Sequence, residues 1–307
     1  MSSDLVAIFE EGPREGFQSE PPGIATSQKI RLIEALAGTG LTEINCCSFV
    51  DAARVPQMAD AEAIMAGVHR VPGVRYAGLW LNLKGFERAR ACGVDLKAAL
   101  VASASETFGL RNNNKTRPQL IETQRALGLA YRDAGIDAVA GYVFTAFGCN
   151  FEGPTPVSHV VRSVRDLVTL AGECGLTFET MVLCDTIGAA SPDGVARAVG
   201  AVREQWPDLD VALHLHDTRG MGMANALVGL QMGIRRFDAS VAGLGGCPFA
   251  GNTAAAGNIC TEDLVYLCHE QGYETGVNLP KLVACGLMAE DIVGRKLPGK
   301  LKEVRSL

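Results

Sequence analysis

Short apolar runs that stop at polar or glycine residues, each followed by a stretch of helical period, recur along the chain. This alternation constrains the fold more than any other feature. Eight such runs stand in order: "VAIFEEG", "EINCCSF", "RYAGLWL", "AALVASA", "DAVAGYVF", "FETMVLCD", "VALHLHD" and "FDASVAGL". Between them lie helix candidates such as "SQKIRLIEALAGTG", "TRPQLIETQRALGLAYRDAG" and "SHVVRSVRDLVTLAGECG", several of which close on glycine as C-caps do. Eight βα units in 307 residues predict an α/β protein of the (β/α)8 or TIM barrel class, with a doubly wound open sheet as the alternative. No low-complexity linker divides the chain, which predicts one domain over residues 1–307, a barrel across about 5–260 and helices across about 261–300.

Composition narrows the function classes. A hydrophobic fraction of 48% with 20% charged residues suits a well-cored globular chain and excludes disorder. The net charge of −6 argues against a nucleic-acid surface, and the one basic stretch, "GRKLPGKLKEVR", reads as a solvated tail. The start, "MSSDLVAIFEEGP", has no charged segment followed by an apolar one, and no apolar run approaches a membrane span. A cytoplasmic protein with no nucleic-acid or membrane partner is expected. The ten cysteines sit in apolar segments such as "NCCSF" and "MVLCDT" without zinc-ribbon spacing, and read mostly as buried thiols.

In a barrel of this kind the active site forms where the strands end. Strand one ends at Arg14, Glu15 and Gln18, and strand two at Asn45 and Ser48. Strand four ends at Ser105 and Glu106, strand six at Asp185 and Thr186, strand seven at His214, His216 and Asp217. Strand eight runs into "GLGGCPFAGNTAAAGN", which holds Cys247 and Asn258. Residues i and i+2 of a strand face one side, so His214 and His216 project together, a geometry that suits two imidazole ligands. Such a pair serves equally as satisfied core or surface histidines, and the polar company at the strand ends favours ligands. Asp217 reads as a support for the histidines, and Ser48, Ser105 and Glu106 read equally as loop hydrogen-bonders or substrate contacts. The glycine-rich loop lacks the residues of a phosphate cradle, so no nucleotide cofactor is expected.

The segments "EGPREGFQSE", "FVDAARVPQMAD", "NLKGFERA", "ASETF", "DTIG", "HLHDTRGMGMANAL", "SVAGLGGCPFA" and "GNICTEDLVY" resemble, in this order, those of 3-hydroxy-3-methylglutaryl-CoA lyases. That family belongs to metal-dependent TIM barrels which make or break carbon–carbon bonds beside a carbonyl, a group that includes isopropylmalate and homocitrate synthases. The resemblance implies a divalent metal on Glu15, His214, His216 and Asn258, with Arg14 beside the reacting carbonyl and Cys247 on a mobile loop over the site. Asp185 joins Arg14 and Cys247 as the third catalytic candidate. Gln18, Asn45, Ser48, Ser105, Glu106 and Thr186 are the substrate-binding candidates, while Lys84, Arg111 and Lys115 are candidates for the CoA moiety. The expected partners are an acyl-CoA substrate and further copies of the chain, as a dimer or tetramer.

The implied reaction explains these residue types. Cleaving C2–C3 of a 3-hydroxyacyl-CoA requires deprotonating a tertiary alcohol, which a chelating divalent ion makes more acidic. Imidazole, carboxylate and amide oxygen with room for substrate oxygens suit Mg2+ or Mn2+ better than Zn2+ in a closed tetrahedron. Arg14 stabilises the resulting enolate and Cys247 returns a proton to carbon. The chain departs from the family at three places: Glu15 replaces an aspartate, Asn45 replaces a glutamate that supports the arginine, and the stretch from Cys247 to Asn258 is longer by two residues. Glu15 and Asn45 are therefore expected to be a compensated pair. A relative acting on another acyl-CoA such as citramalyl-CoA, and an inactive barrel serving as a binding scaffold, are the alternatives.

Overall fold

Each of the eight predicted apolar runs contributes a strand: β1 (Ala7–Glu10), β2 (Glu43–Ser48), β3 (Arg75–Leu79), β4 (Ala99–Ser103), β5 (Ala138–Phe144), β6 (Thr177–Cys184), β7 (Val211–His214) and β8 (Arg236–Ala239). The computed structural model describes Asp4–Gly246 and Ala256–Val304, so Cys247 lies outside the described residues. These fall into two compact units, one from the described parts of 1–96 and 235–307, the other from 97–234.

In the first unit β1 pairs in parallel with both β2 and β8, and β2 with β3, giving the order β3-β2-β1-β8. In the second, β4 to β7 lie side by side in chain order, again parallel. The strand beside β1 on its far side is the last of the eight, where a doubly wound sheet would place β4, and β4 to β7 run on in chain order, as a barrel requires. The fold is of the (β/α)8 barrel class. Strands covered on both faces read as continuous apolar runs, and β7 is buried along its whole length while β6 is buried from Thr180 to Cys184. Val182, Cys184 and Ala212 form a core cluster with Tyr142 and Phe144 packed on it.

The helices are α1 (Thr26–Ala37), α2 (Ala61–Gly67), α3 (Leu83–Ala91), α4 (Glu106–Asn113), α5 (Arg117–Asp133), α6 (Val157–Glu173), α7 (Pro192–Gln205), α8 (Gly222–Gln231), α9 (Thr261–Glu270) and α10 (Leu279–Val293). Their starts are chemically marked. Asn82, Ser105, Ser191 and Asn278 each accept a backbone N–H from three residues on, at 2.9, 3.0, 3.2 and 3.0 Å. Gly135, Gly175 and Gly233 take positive φ just past α5, α6 and α8, ending them as the sequence predicts. The stretch after 260 is helical as expected, with α10 packed on α1 and on the turn Val241–Gly243. An unpredicted antiparallel hairpin, Gly148–Cys149 with Gly153–Pro154, follows β5. Nine described cysteines are free, and only Cys92 is not fully buried.

Candidate active site

The first unit builds one half of the candidate set on the sequence "EEGPREG" after β1. The Glu11 carbonyl accepts from the N–H groups of Arg14, Glu15 and Gly16 at 3.1, 2.8 and 3.4 Å, a π-type turn of the kind frequent at functional sites. Gly12 is required there, because a Cβ would stand 2.7 Å from Glu10 Oε1 and 2.8 Å from Val241 Cγ1. The turn presents Arg14 between two carboxylates: Glu11 Oε2 pairs with Nη2, and Glu15 Oε2 lies 2.9 Å from Nη1. Asn45 Nδ2 donates to both oxygens of Glu11, at 3.3 and 3.1 Å. The residue that meets Asn45 is thus Glu11, which the sequence reading passed over, and Glu11 and Glu15 share the Arg14 guanidinium.

Among the described residues, the buried oxygens Asn45 Oδ1, Ser48 Oγ, Gln18 Oε1 and Asn258 Oδ1 of this unit meet no hydrogen-bond partner. Leaving such atoms desolvated and unbonded costs about 1–3 kcal/mol each, and all four belong to the residues the sequence singles out. Asn258 is placed by the strand-like return of the chain beside β8, where Ser240 N–H donates to Ile259 O at 2.9 Å and Thr261 N–H to Ser240 O at 3.0 Å.

Below the turn, Glu10 points the other way and is fully buried. Its Oε1 accepts from Gly12 N–H at 2.7 Å and Val241 N–H at 2.8 Å, and its Oε2 accepts from the Thr261 hydroxyl at 2.6 Å. Burial raises its pKa to about 8, against the lowering effect of these hydrogen bonds. Glu262, pushed up to about 7 by burial, accepts from Ala242 N–H at 2.8 Å and from Cys260 Sγ at 3.0 Å.

The second unit carries the histidines. His214 and His216 face one side as the two-residue period predicts, with Leu213 and Leu215 wholly buried. Their Nε2 atoms stand 3.2 Å apart and their ring centroids 5.2 Å. Two ligands at right angles on an ion with bonds of about 2.1 Å sit about 3 Å apart, so the pair fits neighbouring positions of a six-coordinate cation. The same spacing suits one N–H···N hydrogen bond between opposite tautomers.

Asp185 follows β6, and its Oδ1 accepts from Ala189 and Ala190 N–H at 2.6 and 3.0 Å, while its buried Oδ2 meets no hydrogen-bond partner among the described residues. Burial raises its pKa, and the charges of His216 and His214 together with the two N–H donors oppose the rise. One oxygen is thus anchored by two backbone N–H groups. Around it, Thr186 Oγ1 accepts from Thr145 N–H at 2.8 Å, and Thr145 Oγ1 accepts from Ser105 N–H at 3.1 Å. Thr145 is held at φ 54°, a strained conformation for a β-branched residue.

Other candidates take quieter places. The Ser105 hydroxyl caps α4 and donates to Cys149 Sγ at 3.1 Å. Glu106 turns outward to Arg162, 3.4 Å away. Asp217 Oδ1 accepts from Gly222 N–H at 2.8 Å and so starts α8. Lys84 is exposed on α3, Lys115 donates to the Thr123 hydroxyl at 2.7 Å, and Arg111 lies over the Phe151 ring at 4.3 Å.

Comparison with known proteins assigns the chain to a family. The HMGL-like family model matches residues 5–288. The cytoplasmic 3-hydroxy-3-methylglutaryl-CoA lyase of Danio rerio is 40% identical over 97% of this chain and 86% of its own length. The hydroxymethylglutaryl-CoA lyase of Bacillus subtilis is 38% identical over 97% of both chains. Among solved structures, the hydroxymethylglutaryl-CoA lyase of Pseudomonas aeruginosa superposes with a TM-score of 0.90 at 37% identity, covering 98% of this chain and 97% of that one. An HMG-CoA lyase of Acinetobacter baumannii, solved with coenzyme A and 3-methylmalate, does so with 0.88 at 37%, covering 99% and 96%. The chain belongs to the HMGL-like family and is a carbon–carbon lyase.

Proposed function

We propose that the protein cleaves the C2–C3 bond of 3-hydroxy-3-methylglutaryl-CoA, giving acetyl-CoA and acetoacetate, with a divalent cation, Mg2+ or Mn2+, held by His214, His216, Asn258 and Glu15. The observation that carries the reading is the pair of imidazole Nε2 atoms set 3.2 Å apart, on a chain whose similarity to lyases of this substrate runs almost end to end. The Oδ1 of buried Asn258, which meets no partner among the described residues, supports it, since an amide oxygen is a suitable hard ligand. Bound there, the cation supplies Lewis acidity and a template for the substrate oxygens.

The chain's own groups divide the remaining work. Asp185 Oδ2 takes the proton of the C3 hydroxyl, for which its burial-raised pKa is suited. As the C2–C3 bond breaks, its electron pair moves onto the thioester oxygen, and the Arg14 guanidinium stabilises that charge. Cys247 returns a proton to C2. Asn45, Ser48 and Gln18 offer buried acceptors for substrate donors, and Thr186 and Ser105 frame the proton acceptor. Arg111 and Lys115 offer cationic groups to CoA.

We place the enzyme in the cytoplasm as a dimer or tetramer; among the described residues no helix is long and apolar enough to cross a membrane. The departures at Glu15 and Asn45 keep citramalyl-CoA as the rival substrate. Incubating the metal-loaded enzyme with a panel of 3-hydroxyacyl-CoAs and identifying products by mass spectrometry tests the proposal. Acetoacetate with acetyl-CoA is the expected result. Pyruvate with acetyl-CoA would reassign the substrate, and a panel left intact would refute a lyase.

A further inference from the structure

A guanidinium sits at the end of a long, flexible stem and acts at one place only if other groups fix it there. We infer that Glu11 is the positioning residue for Arg14, and that Asn45 in turn orients Glu11; the inference rests on the role given to Arg14 above. Glu11 carries its carboxylate almost wholly out of water, with side-chain exposure of 2%, in an ion pair with Arg14. A carboxylate so placed is costly unless it is both paired and hydrogen-bonded, and each condition is met by a residue of the candidate site. Arg14 supplies the charge, and the Asn45 amide donates to both carboxylate oxygens, which sets the plane of the group.

The main chain adds a second tie. The same residue's carbonyl accepts from the N–H of Arg14 and of the two residues after it. Glu11 thus holds the backbone from which Arg14 springs as well as its charged end. Glu15 is the other carboxylate on the guanidinium, but it is the more exposed, at 22% against 2%, and it is the one assigned to the cation. One carboxylate then serves the metal and the other the arginine, so the two adjoining positive charges do not compete for a single counter-ion.

Register makes the idea testable by transposition. β1 and β2 are parallel with Glu10 opposite Ile44, so position 11 stands next to position 45. A carboxylate moved from one to the other stays within reach of the same guanidinium. The experiment compares steady-state kinetics and thermal midpoints of the metal-loaded wild type, Arg14→Lys, Glu11→Gln and the double variant Glu11→Gln/Asn45→Glu, with 3-hydroxy-3-methylglutaryl-CoA. Arg14→Lys should lose nearly all turnover. Glu11→Gln should lower kcat about tenfold or more with KM changed less than about threefold, because a misplaced charge is felt in the transition state more than in binding. The double variant should recover most of that loss, which a merely structural role for Glu11 does not predict. Should Glu11→Gln fail to fold, Glu11→Asp with the same kinetic comparison replaces it, its shorter reach lowering kcat while the charge is kept. Wild-type kcat in the Glu11 variants alongside an inactive Arg14→Lys would overturn the inference and leave the role of Arg14 standing. So would a double variant no better than the single one. A fully active Arg14→Lys would instead overturn the role of Arg14 itself.

Discussion

At the scale of the residue, the histidine pair makes the sharpest demand. The two imidazole Nε2 atoms converge at 3.2 Å, and on the proposed reading removing one ring takes a ligand from the cation. His216→Ala is expected to weaken Mn2+ binding about 10–100-fold or more in calorimetric titration and to abolish turnover while the circular dichroism spectrum stays unchanged. Unaltered binding of Mn2+ by this variant would remove His216 from the ligand set. The pair was legible in the sequence because a two-residue period needs no knowledge of the fold. Glu11 was not. A doublet of glutamates before a glycine looks like a solvated charge run, and only the adjoining strand, 34 residues on, shows that one of the two faces an arginine and an asparagine in a buried place. The Ser105 hydroxyl, read as either a substrate contact or a loop hydrogen-bonder, is occupied by the cap of α4, and this became visible only with the helix boundary.

At the scale of the element, boundaries were written in local chemistry. Ser191 caps α7 by accepting the Gly194 N–H, and its loss takes that acceptor from the helix start. Ser191→Ala should cost about 1 kcal/mol and lower the thermal midpoint by about 2 °C, with kcat unaffected, as differential scanning calorimetry and steady-state assays will read. A midpoint equal to wild type would mean that the cap is replaced by solvent at no cost. All eight strands could be read because parallel strands packed on both faces are apolar throughout. The hairpin after β5 escaped notice for the opposite reason: arms of two residues, Gly148–Cys149 and Gly153–Pro154, are too short to show a period. Glu106, expected among the substrate contacts, lies on the first turn of α4 and is turned toward Arg162, a direction that depends on the placement of α6.

At the scale of the whole molecule, the buried carboxylates set a pH dependence. Glu10 has its pKa raised from 4.5 to about 8 by burial, so above about pH 4.5 the unfolded chain releases a proton that the folded chain keeps. The stability it contributes is full below that point and is lost as the pH climbs toward 8; Glu262, raised to about 7, acts in the same direction. The thermal midpoint should therefore fall between about pH 4.5 and 8, and Glu10→Gln, which keeps the shape without the titration, should flatten the fall. A variant with the wild-type slope would assign the decline to other groups. Glu10 also has a neighbour of opposite purpose. Successive residues at a strand end turn to opposite sides, so Glu10 fastens Val241 and Thr261 while Glu11 fastens Arg14. The junction of β1 with its turn is consequently a poor place to open the chain for circular permutation or to insert a tag: a single added residue would reverse which glutamate faces the closing segment and which faces the arginine.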